Sequence, residues 1–400
     1  MNWTPSPHLL ERILNFAIQI QRIAAPTFYE EQRARFVLER FRDERVEAVF
    51  TDAVGNVYAC RPGQDKGLPL VITAHLDTVF QAEHNQAAVW KGNRIYGPGI
   101  GDNALGIAAL FGVLWALEEV SLSSATDLWL VATVCEEGLG NLRGMRAVVE
   151  RFGRRVKAYL VLEGMALGHV YHRALGVRRY RLKVETAGGH SWVNFGRPSA
   201  IHHLARLIAA LDSIPIPTSP RTSLNVGVIS GGISVNTIAP LATAELDLRS
   251  EDTTCLVQLA QQILQLVQQS QQEGVHFSAE LIGERPAGNL AENHPLVRLA
   301  IECLEQVGVK AIPNIGSTDA NIPLSLGYPA VGIGLTYGEG AHTIHESIYT
   351  PPLRQGMMQL IYLIDRIQSD FCLLFLDLNP KSRYNKNISE ENPWRVFSPS

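Results

Sequence analysis

Three short apolar runs, each ending in groups that bind protons or metals, constrain this chain more than any other feature. LPLVITAH (68–75) ends on His75, with Asp77 two residues on; LWLVATVCEE (128–137) ends on Glu136 and Glu137; AYLVLEG (158–164) carries Glu163. Runs of this length, rich in Val, Leu and Ile, predict strands buried inside a sheet. Between the first two lies DNALGIAALFGVLWALEE, beginning at Asp102, whose length and near-continuous apolarity predict a helix packed inside the sheet layers. Strands alternating with helices give an α/β sheet, whose ligands bind in the crevice beyond the carboxyl ends of the strands. His75, Asp77, Glu136, Glu137 and Glu163 are expected to converge there, with Asp102 joining from the start of the buried helix.

Taken singly, each has a plain structural explanation. Asp102 reads as a helix cap, His75 as a hydrogen-bonded core histidine, and the Glu136–Glu137 pair as an exposed turn. Together they are harder to dismiss, because five clustered carboxylates repel one another and protonate unless cations neutralise them. A single divalent ion leaves a large unbalanced charge; two nearly cancel it. Imidazole plus carboxylate ligands suit zinc, with manganese or cobalt as substitutes.

Composition narrows the classes. Four hundred residues with 46% hydrophobic content suit a globular protein of two domains. A net charge of −4, with both signs interspersed, gives no broad electropositive surface, which argues against nucleic acid and anionic membranes as partners. The five cysteines, Cys60, Cys135, Cys255, Cys303 and Cys372, are scattered and never spaced C-x-x-C, so neither a disulfide framework nor a thiolate zinc site is expected. MNWTPSPHLLERILNF reads as a capped amphipathic helix instead of a signal peptide, and the apolar stretch 104–117 falls short of the roughly 20 residues that span a bilayer. A cytoplasmic location is the expectation.

Near residue 176 the pattern changes. GVRRYRLKVETAG alternates in sidedness, a helix follows at SAIHHLARLIAAL, and strands at SLNVGVIS and ATAELDLRS precede a Gln-rich helix and the strand HFSAELIG. This is a βαββαβ-like unit, inserted over 176–288 between a first part of the other domain (1–175) and its second part (289–378), with a polar tail at 379–400. In the Gln-rich segment Leu, Ile and Val recur at helical spacing, which predicts a helix with an exposed polar face.

Here a resemblance becomes specific. HLDTVF (75–80), NRIYGPGIGDNALGIAAL (93–110), CEEGLG (135–140) and AHTIHES (341–347) resemble, in order, the motifs of a dinuclear zinc metallopeptidase family. That family contains glutamate carboxypeptidase, tripeptide aminopeptidase (peptidase T), aminoacylase and succinyl-diaminopimelate desuccinylase. The resemblance covers nearly the whole chain to about residue 370. It implies an αβα zinc-peptidase catalytic domain with an inserted ferredoxin-like α+β lid and dimerisation domain.

Residue by residue, the resemblance makes Asp102 the bridging ligand of two cations, His75 and Glu163 ligands of one, and Glu137 and His342 ligands of the other. His345 is left outside the ligand set. Asp77 orients His75, and Glu136 is the general base that activates water and returns its proton to the leaving amine. In the lid, His190 of GGHSW matches a histidine that reaches a neighbouring subunit's site to stabilise the oxyanion, which implies a homodimer. Asn236 and Arg249 match substrate contacts, and an arginine there suits a substrate with a free carboxyl group. GSTDAN (316–321) resembles the segment before the last ligand in the peptidase T branch, with Asp319 shaping the pocket or simply part of a tight turn.

The implied activity is exopeptidase cleavage of short peptides. The alternative is an amidohydrolase or deacylase of N-acyl amino acids, and a further one is a non-catalytic binding protein of the same fold, although no ligand or base position is missing. HLDTVF and YGPGIGDN are closer to glutamate carboxypeptidase and GSTDAN to peptidase T, and these branches cleave opposite ends of a peptide.

Overall fold

The computed structural model describes residues 3–121 and 123–374, with side chains to residue 369; the tail at 379–400 and the Cys372 side chain lie outside these residues. The first part contains helices α1 (Pro7–Gln21) and α2 (Glu31–Arg42), and strands β1 (Glu47–Thr51), β2 (Val57–Arg61) and β3 (Leu70–His75). It continues with α3 (Leu105–Glu119), β4 (Leu128–Thr133), α4 (Arg143–Phe152), β5 (Ala158–Glu163) and β6 (His169–Ala174). The inserted unit consists of β7 (Gly176–Thr186), α5 (Ala200–Asp212), β8 (Thr222–Gly231), β9 (Leu241–Ser250), α6 (Thr253–Gln269) and β10 (Val275–Arg285). The chain then adds β11 (Gly288–Asn289), α7 (Pro295–Gln306), β12 (Ile312–Gly316), β13 (Ala330–Gly334) and α8 (Leu353–Leu374).

Strands from both ends of the chain form one nine-stranded sheet, ordered β1-β2-β4-β3-β5-β13-β6-β11, with β12 also on β6. β3 lies parallel to both β4 and β5, and β13 is parallel to β5, so the carboxyl ends of these four strands open on one side. Every residue of β3 and β13 is buried, as the unbroken apolar runs require. α1 begins where the Ser6 hydroxyl accepts the Leu9 amide and Pro7 sets the first turn. The segment Ile100–Glu119 is long and apolar enough for a bilayer crossing, longer than the 104–117 run suggests, yet 94% of its most apolar 18-residue window is buried inside the protein. It is the core helix, and α3 packs on α1, α8 and β3.

The inserted unit forms a second layer pair with its own hydrophobic cluster. Its four strands are antiparallel in the order β8-β9-β7-β10, the arrangement of a ferredoxin-like βαββαβ unit. α6 starts at Asp252, whose side chain accepts the Cys255 amide, and buries Leu256, Leu259, Ala260, Ile263 and Val267. That helical spacing leaves its glutamines on the outer face.

Candidate active site

Because β3 is flanked by β4 and β5, their ends bring His75, the Cys135–Glu136–Glu137 turn and Glu163 side by side. Asp102 arrives from the turn before α3, and His342 from the loop between β13 and α8. Asp102 does not cap the helix: its carboxylate faces His75 and His342 and accepts no amide of the first turn of α3. Asn103 does that work, its Oδ1 accepting the amides of Gly106 at 3.1 Å and Gly164 at 2.9 Å. The Asp102 side chain is thereby left to the site.

The two Asp102 oxygens face two histidines. Oδ1 lies 3.0 Å from His75 Nε2, and Oδ2 lies 3.1 Å from His342 Nε2. Glu163 Oε2 is 3.9 Å from His75 Nε2, and Glu137 Oε1 is 3.1 Å from His342 Nε2. Two three-residue groups result, His75–Asp102–Glu163 and Asp102–Glu137–His342, each with its ligand atoms within 4.8 Å of one another. A third group, His75–Glu136–Glu137, adjoins them. His342 and Cys135 both hold left-handed backbone, with φ of 62° and 57°, a conformation that non-glycine residues adopt sparingly and that gathers at functional sites.

Electrostatics test whether these groups suit cations. Burial pushes the Glu163 carboxyl up to about 8 and raises that of Glu136 well above the ordinary range, the latter opposed by Arg285 and reinforced by Glu137. Burial alone would lower His75, but the carboxylates of Asp102 and Asp77 beside it outweigh that and leave the imidazole raised; bonds to Asp102 and Glu137 push His342 up to about 10. Asp102 is held low by the two histidines in spite of its burial. The carboxylates thus demand positive charge at the two places where the histidine nitrogens point. Oxygen and imidazole donors around a shared carboxylate fit two divalent cations.

The supporting contacts differ from the sequence expectation at Asp77. Its carboxylate stands 3.6 Å from His75 Nδ1, an ion-pair distance, and the hydrogen bond from that nitrogen goes at 3.0 Å to the Asp77 backbone carbonyl. The carboxylate itself accepts the amides of Glu136 at 2.9 Å and Glu137 at 2.8 Å, so Asp77 shapes the glutamate turn as well as orienting the histidine. Glu346, fully buried, clamps the opposite side. Its oxygens accept the amides of Gly99 at 2.8 Å, Gly101 at 2.7 Å and Asp102 at 2.9 Å.

Two further residues were not singled out for these contacts by sequence reasoning. Arg285, at the end of β10, donates from Nη1 to Glu136 Oε1 at 3.2 Å and to the Ser317 carbonyl and hydroxyl at 3.1 Å, and from Nη2 to the Glu136 carbonyl. Glu30 accepts the Cys135 amide at 3.0 Å behind the same turn. No local pattern marks either residue; both act through a turn distant in sequence. Asp319 is buried and accepts the Thr133 hydroxyl at 2.6 Å, placing it behind the strand ends and away from the cavity lining.

A cavity of about 340 Å³ opens over these groups, lined by His75, Asp102, Glu136, Glu137, Glu163 and His342 and also by Arg179, Arg249 and Arg285. Arg249 therefore reaches the site. His190 and Asn236 do not line the cavity of a single chain. His190 is exposed, with Nδ1 accepting the amides of Trp192 and Val193, so its free Nε2 carries any outward-facing proton. Asn236 is exposed beside it, its carbonyl accepting the Ser191 amide. His345 is exposed as well.

Known proteins share this architecture. The sequence profile of peptidase family M20/M25/M40 matches residues 71–366. A probable carboxypeptidase of Arthroderma benhamiae is 26% identical over 217 residues, 48% of this chain and 45% of that protein. The chain spans about half the length of the curated relatives it matches. Among solved structures, a Staphylococcus aureus tripeptidase superposes with a TM-score of 0.76 at 22% identity, covering 90% of this chain and 98% of the other. A Bacillus subtilis dinuclear metal-binding peptidase does so with a TM-score of 0.67 at 15% identity, covering 91% and 99%. At such identities the two superpositions speak for the fold.

Proposed function

The chain belongs to peptidase family M20/M25/M40, and from that premise we propose that it is an exopeptidase of short peptides, with two divalent cations, zinc foremost, and Glu136 as general base. The observation that carries this reading is the division of Asp102 between His75 and His342, which yields two ligand groups sharing one carboxylate beside a fourth acid. His75, Asp102 and Glu163 would hold one cation, and Asp102, Glu137 and His342 the other. When bound, such ions polarise the scissile carbonyl and acidify an attacking water.

The chain's own residues supply the rest. Arg285 occupies Glu136 Oε1, which leaves Oε2 as the atom that takes the proton from water and passes it to the leaving amine. Asp77 fixes the amides of Glu136 and Glu137, so base and ligand keep a set separation. Arg249 meets a carboxylate of the substrate from the lid side. His190 supplies its Nε2 proton to the developing oxyanion in a second copy of the chain. What supports that dimer is the apolar surface around His190, where Trp192, Phe195, Ile233 and Val235 are 85%, 90%, 78% and 103% exposed.

Hydrolysis of free and N-acetylated tripeptides by the zinc-loaded protein tests this reading. Cleavage of both identifies the carboxyl end as the point of attack, and cleavage of free tripeptides alone identifies the amino end. Hydrolysis confined to N-acyl amino acids overturns the exopeptidase assignment in favour of a deacylase. Co-assembly of inactive His190→Ala and inactive Glu136→Gln chains restores partial activity if His190 acts across the dimer.

A further inference from the structure

The open face of the lid sheet carries a row of charges that is matched along its length and unmatched at one end. In β7, Tyr180, Leu182 and Val184 are buried within the lid's hydrophobic cluster, so Arg179, Arg181 and Lys183 stand on the opposite face. Away from the cavity, Lys183 pairs with Glu185 at 2.8 Å, and Arg181 with Glu245 at 2.9 Å and Glu280 at 3.4 Å. At the cavity end two arginines share one carboxylate. Arg179 Nε donates to Asp247 Oδ1 at 2.9 Å, and Arg249 Nε to Asp247 Oδ2 at 2.6 Å. One positive charge is left over where the row meets the cavity, while the third arginine there, Arg285, is matched by Glu136.

The donors that remain are placed for an anion. Arg179 Nη1 donates to the Gly138 carbonyl at 2.6 Å, but its Nη2 and both Nη atoms of Arg249 have no partner among the described residues. Two guanidinium groups held on a common carboxylate and lining one cavity offer their remaining N–H groups, donors of the kind that bind carboxylates. The bond to Gly138, next to Glu137, also anchors Arg179 to the turn that carries the general base.

We propose that Arg179 is a specificity-determining residue which, together with Arg249, binds a substrate carboxylate, from a C-terminus or an acidic side chain. The identity of the reacting amide rests on the exopeptidase reading; the carboxylate receptor does not. The zinc-loaded full chain is tested with two pairs of peptides, Ala-Ala-Ala against its C-terminal amide, and Ala-Glu-Ala-amide against Ala-Gln-Ala-amide. The first pair reports a terminal carboxylate, the second a side-chain one. In at least one pair the acid is preferred by about tenfold or more in kcat/KM, with the difference residing in KM. Arg179→Gln narrows that preference to within about threefold, and Arg179→Lys recovers part of it.

Equal loss on acid and neutral members, which a merely structural arginine would give, overturns the proposal. So does a wild-type enzyme with no acid preference in either pair. If no peptide is hydrolysed, the exopeptidase reading fails, and equilibrium binding of the same four peptides still decides the receptor. The acid preference in Kd and its loss in Arg179→Gln are then expected, and equal binding of acid and neutral members by the wild type refutes it.

Discussion

The nine-stranded sheet and the lid sheet hold their candidate functional side chains in opposite ways. In the nine-stranded sheet they sit at strand ends and in tight turns, and buried carboxylates grip the backbone that carries them: Asp77 the Glu136–Glu137 turn, Glu346 the approach to Asp102. In the lid they are long arginines on an open face, braced by ion pairs such as Arg179–Asp247. The first arrangement fixes backbone through several bonds at once, the kind of support that ligand groups require. The second gives reach, which suits recognition of a distant substrate group.

Replacing the proposed base, Glu136, separates chemistry from ligation within the rigid half. Glu136→Gln keeps the shape and the Arg285 contact but cannot take a proton, and Glu136 belongs to neither of the two groups that share Asp102. Turnover falls by about 10³-fold, while elemental analysis still finds two ions per chain. Retained turnover would remove Glu136 from the mechanism, and loss of an ion would make it a ligand.

A smaller effect distinguishes the two halves directly. Glu346→Gln places an amide NH₂ where a carboxylate oxygen accepts backbone N–H, loosening the Gly99–Asp102 turn. Affinity for the cations drops by about 10- to 100-fold, measured by competition with a chelator, as for other residues that orient ligands. Arg249→Gln in the lid leaves that affinity alone and raises KM for peptides with a free carboxyl group. If the lid variant weakens metal binding as much, the division of labour between precision and reach is wrong.

How much of this was legible in the sequence follows the same division. The strand-end residues stood out as candidate ligands because apolar runs end abruptly on His75, Glu137 and Glu163, and the βαββαβ order of the lid was readable from sidedness that switches between periods of two and of helical spacing. Asp102 was singled out with a plain reading beside it, since an aspartate before an apolar run also reads as a cap; that job falls to Asn103. Arg179 and Arg285 were hidden because an arginine in an alternating strand reads as a solvated face. Their contacts, Gly138 and Glu136, lie 41 and 149 residues away and depend on how the lid strands meet the catalytic turn.

The subtlest expected difference concerns stability. Burial pushes the Asp319 carboxyl from 3.8 up to about 6, opposed by the Thr133 hydrogen bond and His75 and reinforced by Asp77, and Asp319 Oδ1 has no hydrogen-bond partner among the described residues. Between those two pH values the native chain keeps a proton that the unfolded chain has released. The stability this proton contributes is full below about 3.8 and is lost as pH rises through about 6. A carboxamide in its place carries no such charge, so in metal-free protein the urea midpoint of Asp319→Asn gains on the wild type from about pH 4 to pH 7 and levels off above. Glu245→Gln, on the exposed row of the lid, shifts the midpoint less, because solvent screens such a pair. A lid variant with the larger shift would mean that the open charge row, and not the buried site behind the strand ends, is where this fold is electrostatically constrained.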